Sequence, residues 1–243
     1  VTPTERAYLR IDECLSIEAQ VVAARDHAFA CDRTCLYPGG GGQPCDDGTL
    51  RLPDAATLGI ASAHAEGDVI WHVCTSTLPP DLAGKRVQLE VNAARRHALS
   101  RYHTVLHVLN TIALRDYCGW ITGAQIATDY ARIDFKLDGL SPALCAELEG
   151  KVNAVLQEDR PITAYYLGEE EFLQRGDLLR TLEARPPVVN GKVRVVAIRG
   201  FDAQACGGTH VHSTRKLGHF SITRSENKGR INKRLYVRLD PTA

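Results

Sequence analysis

Arg101-Tyr-His-Thr-Val-Leu-His-Val-Leu-Asn110 carries two histidines four residues apart inside an apolar run. In a helix, residues i and i+4 lie one above the other on the same face. His103 and His107 therefore present two imidazoles to one place. Val105, Leu106, Val108, Leu109 and Ile112 give the same helix apolar surface to bury, so it is expected to be fixed against a core. Upstream, Val87-Gln-Leu-Glu-Val91 reads as a strand and Asn92 as a helix cap. The helix is predicted from Ala93 to Tyr117, with Gly119 ending it.

Before this helix the chain reads as strands and turns. Glu18–Ala24, His27–Cys31 and Val69–Cys74 are β-prone, and turn signals recur at Pro38-Gly39-Gly40-Gly41-Gly42, Asp47-Gly48, Glu66-Gly67-Asp68 and Pro79-Pro80. Short strands at this spacing predict a small β-barrel in residues 1–90. After the helix come Tyr130–Phe135 as a strand, then a helix capped by Ser141 with Pro142 at its first position. Leu144, Leu148, Val152, Val155 and Leu156 mark that helix's buried face. Pro161–Tyr166 and Lys192–Ile198 read as strands, Glu169–Leu179 as a short acidic helix, and His219–Arg224 with Arg234–Leu239 as closing strands around a turn at Gly229. The expected fold class is α+β: an N-terminal small β-barrel, then in residues 91–243 a two-layer α+β domain with an antiparallel or mixed sheet.

With 243 residues, 44% of them hydrophobic, the chain can build a core without staples. Its formal net charge is zero, so any attraction to nucleic acid must be local. One segment qualifies. From Arg215 to Arg238 eight basic residues stand against Glu226 alone, which suggests a phosphate-rich ligand or, more simply, a solvated hairpin. Eight cysteines without a small-protein disulfide framework point to a reducing cytoplasm, with most of them small core residues. No stretch has the length of a membrane span.

About 100 residues after the histidine pair stands Cys206-Gly-Gly-Thr-His210. Either motif alone is weak. Together they offer three imidazoles and a thiolate, a zinc ligand set of His103, His107, Cys206 and His210. Thr104 stands where a zinc peptidase of the HExxH type needs Glu, which argues against that chemistry. Four protein ligands suit a structural zinc; a chain large enough to fold without metal, with Thr104, Thr209 and His212 close by, suits a catalytic one. Whether His210 binds metal or acts as a base stays open at this point. Gly39, Gly40, Gly41 and Gly42 before Gln43 lack the Gly-Lys-Ser/Thr of a phosphate loop. They form either a flexible hairpin turn or a backbone able to approach a substrate and offer N–H groups.

The pair of motifs resembles the editing domain of alanyl-tRNA synthetase and, in its histidines, that of threonyl-tRNA synthetase. The resemblance extends to Tyr37-Pro-Gly-Gly-Gly-Gly-Gln43, Arg132-Ile-Asp-Phe135 and Ser225-Glu-Asn-Lys-Gly229. With no room for an aminoacylation domain, the chain looks like the free-standing AlaX family, in the medium form that adds an N-terminal barrel. The resemblance implies zinc-dependent hydrolysis of mischarged tRNA(Ala), mainly seryl-tRNA(Ala). It implies substrate contacts from Gly39–Gln43. It gives a serine-sensing role to Thr122 of Trp120-Ile-Thr122, one residue further from the helix than the family has it. Arg95, Arg96, Lys228, Arg230, Lys233 and Arg234 are then expected to hold tRNA phosphates. A non-catalytic tRNA-binding module with a structural zinc, or another metallohydrolase on the same scaffold, is the alternative. The sequence gives no oligomeric state.

Overall fold

The computed structural model describes residues 2–10, 13–180 and 186–240. The chain divides into two compact units. The first is Val1–Gly40 with Pro44–His97, and the second is Gly41–Gln43 with Ala98–Ala243.

In the first unit a short parallel pair, β1 (Glu5–Arg6) with β4 (Arg33–Thr34), accompanies a closed barrel. The barrel strands are β2 (Ser16–Arg25), β3 (Ala28–Cys31), β5 (Gly48–Arg51), β6 (Thr57–Glu66), β7 (Val69–Cys74) and β8 (Arg86–Val91). They close in the order β2-β3-β7-β6-β5-β8 with every pair antiparallel. Closure removes the exposed edges that a small sheet would otherwise carry. Phe29, Leu50, Ile60, Ile70 and Leu89 fill the interior. β6 is not legible in the sequence, because Gly59-Ile-Ala-Ser-Ala-His-Ala65 has little β propensity of its own. Burial is narrower for the thiols than expected: Cys31, Cys35 and Cys74 are core residues, while Cys118 is exposed and the others are half-buried.

The long helix α1 spans Ala93–Tyr117, as the sequence predicts. Asn92 Oδ1 accepts from Arg95 N–H at 3.2 Å, the expected cap. Its other end differs in detail. Cys118 takes the left-handed conformation (φ 54°) and Gly119 N–H returns to the Ala113 carbonyl at 2.9 Å. Cys118 N–H bonds the Leu114 carbonyl at 3.1 Å, a five-to-one αL closure with Cys118 in the position where glycine is common.

The rest of the second unit carries two antiparallel sheets. One runs β15 (Phe220–Asn227), β16 (Asn232–Leu239), β10 (Ala131–Lys136), β9 (Trp120–Ile126). The other has β13 (Lys192–Ile198) at its centre, paired with β11 (Ile162–Gly168) on one side and with β12 (Val188–Val189) and β14 (Asp202–Ala205) on the other. α2 (Pro142–Gln157) has the predicted Ser141 cap, whose hydroxyl accepts from Leu144 N–H. Leu148, Val152, Val155 and Leu156 are buried as expected, whereas Leu144 is only half-buried. Val105, Leu109 and Ile112 of α1 join these, together with Ile133, Phe135, Leu235 and Val237, in one core. The acidic helix is shorter than predicted: α3 is Glu169–Leu173, and Gly176–Leu178 forms a separate 3-10 turn. Gly176 and the polar run before it give no apolar stripe to continue the helix. Among the described residues, no helix is long and apolar enough to cross a membrane.

Candidate metal centre

The apolar surface of α1 seats His103 and His107 in the core of the second unit, each 7% exposed. Their ring centres are 5.0 Å apart, and each lies 4.4 Å from the ring of His210. Cys206 and His210 arrive on the loop that follows β14. Arg194, a buried cation between Val193 and Val195 of β13, holds that loop: its Nη1 donates to the carbonyls of Cys206 and Gly208, both at 2.9 Å. Gly208 has no alternative, since a Cβ there would lie 2.1 Å from His103 Cε1 and 2.4 Å from its Nδ1.

One donor atom from each of His103, His107, Cys206 and His210 lies within 4.8 Å of all the others. Cys206 Sγ stands 3.5 Å from His103 Nε2 and 3.3 Å from His210 Nε2. Zinc bonds of roughly 2.0–2.3 Å at tetrahedral angles separate neighbouring donors by about 3.3–3.6 Å. The donor set therefore fits a metal ion in its chemistry, and the two Cys206–histidine pairs fit it in spacing.

Hydrogen bonds fix which nitrogen faces the cluster. Gln43 Oε1 receives Thr209 N–H at 3.2 Å, so that end of the amide is the oxygen. His103 Nδ1, 2.7 Å from the same oxygen, must then be the protonated nitrogen, leaving the Nε2 lone pair for the cluster. Gln43 Nε2 donates to Thr209 Oγ1 at 2.8 Å, so both ends of this buried amide are used. His210 follows the same logic. The Thr104 hydroxyl gives its proton to the Ser100 carbonyl at 2.7 Å and accepts from Val211 N–H at 3.2 Å. It can therefore only accept from His210 Nδ1, at 3.1 Å, which again turns the Nε2 lone pair inward. Such outer partners set the orientation and basicity of metal-binding histidines.

Burial drives all three imidazoles to the neutral form. His107 falls to about 3, first through desolvation and then through Arg180 and Arg194. His103 and His210 lie well below the usual value, with burial the largest cause and neighbouring histidines next. Burial also raises the Cys206 thiol, opposed by Arg194 and by the Gly208 N–H. Neutral imidazoles are the ligand form, so no proton has to be expelled from them when a metal binds.

The other sequence-derived candidates are placed unevenly. Gly39 and Gly40 have φ of 89° and 133°, Gly41 and Gly42 of 58° and 85°. Gly42 packs against β9: a Cβ would lie 2.5 Å from the Ala124 carbonyl, and Gly42 O accepts from Ile126 N–H at 2.8 Å. Gly40, Gly41 and Gly42 are exposed, while Gln43 is buried with its amide bonded to His103 and Thr209. Thr122 is exposed on β9, where Ile121 pairs with Phe135 and Gly123 with Asp134. Thr122 is thus the extra residue of a β-bulge. His212 faces solvent.

Several basic candidates already have partners within the protein. Arg96 is 3% exposed and ion-paired with Asp46, its Nε 3.0 and 3.1 Å from the two carboxylate oxygens. That carboxylate also accepts from Tyr37 N–H at 2.6 Å and so ties the base of the glycine-rich loop. Lys233 is 5% exposed, and its amine closes the hairpin turn through the carbonyls of Gly229 and Arg230. Arg234 forms a two-bond pair with Asp134 at 2.7 and 2.8 Å. Arg95 is half-buried, bonded to the Cys45 carbonyl; Lys228 pairs with Glu226; Arg230 is exposed. A basic residue in a strand or first helical turn gives no hint of a buried carboxylate 50 positions away. The roles of Thr104 and Arg194 were also missed. Arg194 had a signal, a charge alone in the run Val193-Arg-Val-Val-Ala-Ile198.

Residues 193–236 match the family described as threonyl and alanyl tRNA synthetase second additional domain. Over 240 residues the chain is 32% identical to the alanyl-tRNA editing protein AlaX-M of Methanosarcina barkeri, covering 97% of this chain and 99% of that protein. It is 29% identical to the AlaX-M protein of Saccharolobus solfataricus, over 98% of this chain and all of its relative. It is also 36% identical over 225 residues to the alanine–tRNA ligase of Thermofilum pendens, but spans only 24% of that enzyme's length. Full-length similarity at this level places the chain in the AlaX-M family of alanyl-tRNA editing proteins.

Proposed function

We propose that the protein is a hydrolase that deacylates mischarged tRNA(Ala), chiefly seryl-tRNA(Ala), in trans. The observation that carries this reading is the convergence of His103, His107, Cys206 and His210 on one point, with their outer partners already in place. The end-to-end similarity to AlaX-M proteins supports it. The ligand set suits Zn2+. Bound there, zinc supplies a Lewis acid for the ester carbonyl and a water of lowered pKa.

The chain's own residues do the rest. Gln43 and Thr104 hold His103 and His210 in the metal-binding tautomer. His210 has a single nitrogen facing the cluster, so at any moment it is a ligand or a base, and we assign it as a ligand. Thr122 offers a hydroxyl to the serine side chain. A site built to hydrogen-bond a hydroxyl rejects the analogue lacking it better than a pocket rejects an added methylene. That is the selectivity needed to spare alanyl-tRNA(Ala). The exposed glycines Gly40–Gly42 offer backbone N–H groups to the substrate. The free thiols and the tRNA substrate suit the cytoplasm.

Single-turnover deacylation of seryl-, glycyl- and alanyl-tRNA(Ala) by the zinc-loaded protein tests this. Fast release of serine with alanyl-tRNA spared is expected. Tight tRNA binding with no hydrolysis of any ester would make the protein a binding module with a structural zinc.

A further inference from the structure

The sheet β15-β16-β10-β9 has two unlike faces. Lys233, Leu235, Val237 and Leu239 of β16 and Ala131, Ile133 and Phe135 of β10 are buried, their apolar members against α1 and α2. The alternate residues, on the opposite face by the pleat, are Arg234, Tyr236 and Arg238 on β16 and Arg132, Asp134 and Lys136 on β10. The register aligns Arg224, Tyr236, Arg132 and Gln125 in one row across the four strands. The next row is Glu226, Arg234, Asp134 and Gly123.

This face is basic in a chain whose net charge is zero. Its two carboxylates are already engaged. Asp134 takes both bonds of Arg234, and Glu226 takes Arg224 at 2.5 Å and Lys228 at 2.8 Å. Arg132 approaches Asp134 only to 4.0 Å, and its buried Nε has no hydrogen-bond partner. In the middle stands an aromatic ring. Tyr236 lies beneath the Arg224 guanidinium, 5.3 Å from its ring centre, and 6.5 Å from the ring of Tyr130.

We propose that this face binds unpaired RNA, with a base stacked on Tyr236 and the backbone phosphates on Arg132, Arg224 and Arg238. An open sheet with a ring flanked by guanidinium groups offers what single-stranded RNA needs: a surface for exposed base faces and cations for the phosphates between them. A paired helix hides its base faces and has use for the charges alone. The inference rests on the tRNA-deacylase reading, whose substrate ends in unpaired 3′ nucleotides, and it moves the RNA contact from the hairpin tip to the sheet.

The test measures binding of the full-length protein to a tRNA(Ala) transcript and to the same transcript without its unpaired 3′ nucleotides. The triple variant Arg132→Gln, Arg224→Gln, Arg238→Gln should weaken binding of the intact transcript at least tenfold. It should also lower the slope of log affinity against log salt by about 2. The matched Lys triple should keep that slope, which separates charge loss from misfolding. Tyr236→Leu should weaken the intact transcript at least fivefold and leave the trimmed one unchanged. Equal loss on both transcripts would overturn the single-strand assignment in favour of paired RNA. Unchanged affinity and slope in the triple Gln variant would overturn the site. Hydrolysis of seryl-tRNA(Ala) by the wild type, measured alongside, reports on the deacylase reading separately: it can fail while the binding arms still read the face, and the reverse.

Discussion

His72 in the barrel and the cluster of His103, His107 and His210 are both cut off from water, and burial holds both in the neutral form. What separates them is where the ring nitrogens point. His72 Nδ1 donates to the Phe29 carbonyl at 3.3 Å and its Nε2 accepts from the Thr34 hydroxyl at 2.7 Å, with the ring stacked on Phe29 at 4.9 Å. Nothing is left over, and the residue is part of a core. His103 and His210 each spend one nitrogen on a fixed partner and turn the other to a shared point with Cys206. Burial and a depressed pKa therefore do not mark a functional histidine. Convergent, unspent lone pairs do.

The largest expected effect probes the barrel side of this contrast. Burial puts the His72 pKa at about 4, against 6.5 for an ordinary histidine. The unfolded chain takes up its proton near 6.5 and the folded chain only near 4. His72 therefore contributes its full stability above pH 6.5, loses it as pH falls through that window, and gives nothing further below about 4. The loss is on the order of 3 kcal/mol. Denaturant titrations of wild type and His72→Phe between pH 7 and 4 should show this difference in slope, with zinc content unchanged in the variant. Parallel curves would mean that the barrel histidine is solvated.

A smaller effect is expected on the metal side. Gln43→Leu keeps the volume but frees the His103 ring to take either tautomer. Loss of an outer partner of this kind costs roughly 10- to 100-fold in metal affinity or activity. Competition with a chromophoric chelator reads it directly. An unaltered zinc affinity would make Gln43 a loop residue, as inert toward metal as Thr34 is beside His72. Smaller still, Thr122→Val should slow seryl-tRNA(Ala) hydrolysis about two- to tenfold, the worth of one neutral hydrogen bond. Zinc content and glycyl-tRNA(Ala) hydrolysis should stay as they are. Equal slowing of both substrates would detach Thr122 from serine recognition.

The sequence made the contrast only half legible. His103, His107, Cys206 and His210 were readable because each pair has a short spacing on one local element, and the apolar stripe of α1 announced the core behind it. The α+β class followed from the same long helix flanked by strands and turns. Gln43 was legible only as the end of a glycine run, since its partner Thr209 lies 166 positions away and no local pattern encodes that contact. Arg96 and Lys233 looked like surface charge for the same reason: Asp46 and the hairpin carbonyls that occupy them are supplied by tertiary structure. Thr122 sits in a bulge, and a bulge shifts the strand alternation by one residue, which a period-two reading cannot anticipate.

The measurement that tests the central claim most directly is metal removal and return. The wild-type protein, stripped by chelation and then titrated with Zn2+, should bind one ion per chain and recover seryl-tRNA(Ala) deacylation in step with it. Cys206→Ala combined with His210→Ala should do neither, while His72→Phe should do both. Full deacylation by the stripped protein, or one bound zinc per chain in the Cys206→Ala, His210→Ala variant, would contradict the account.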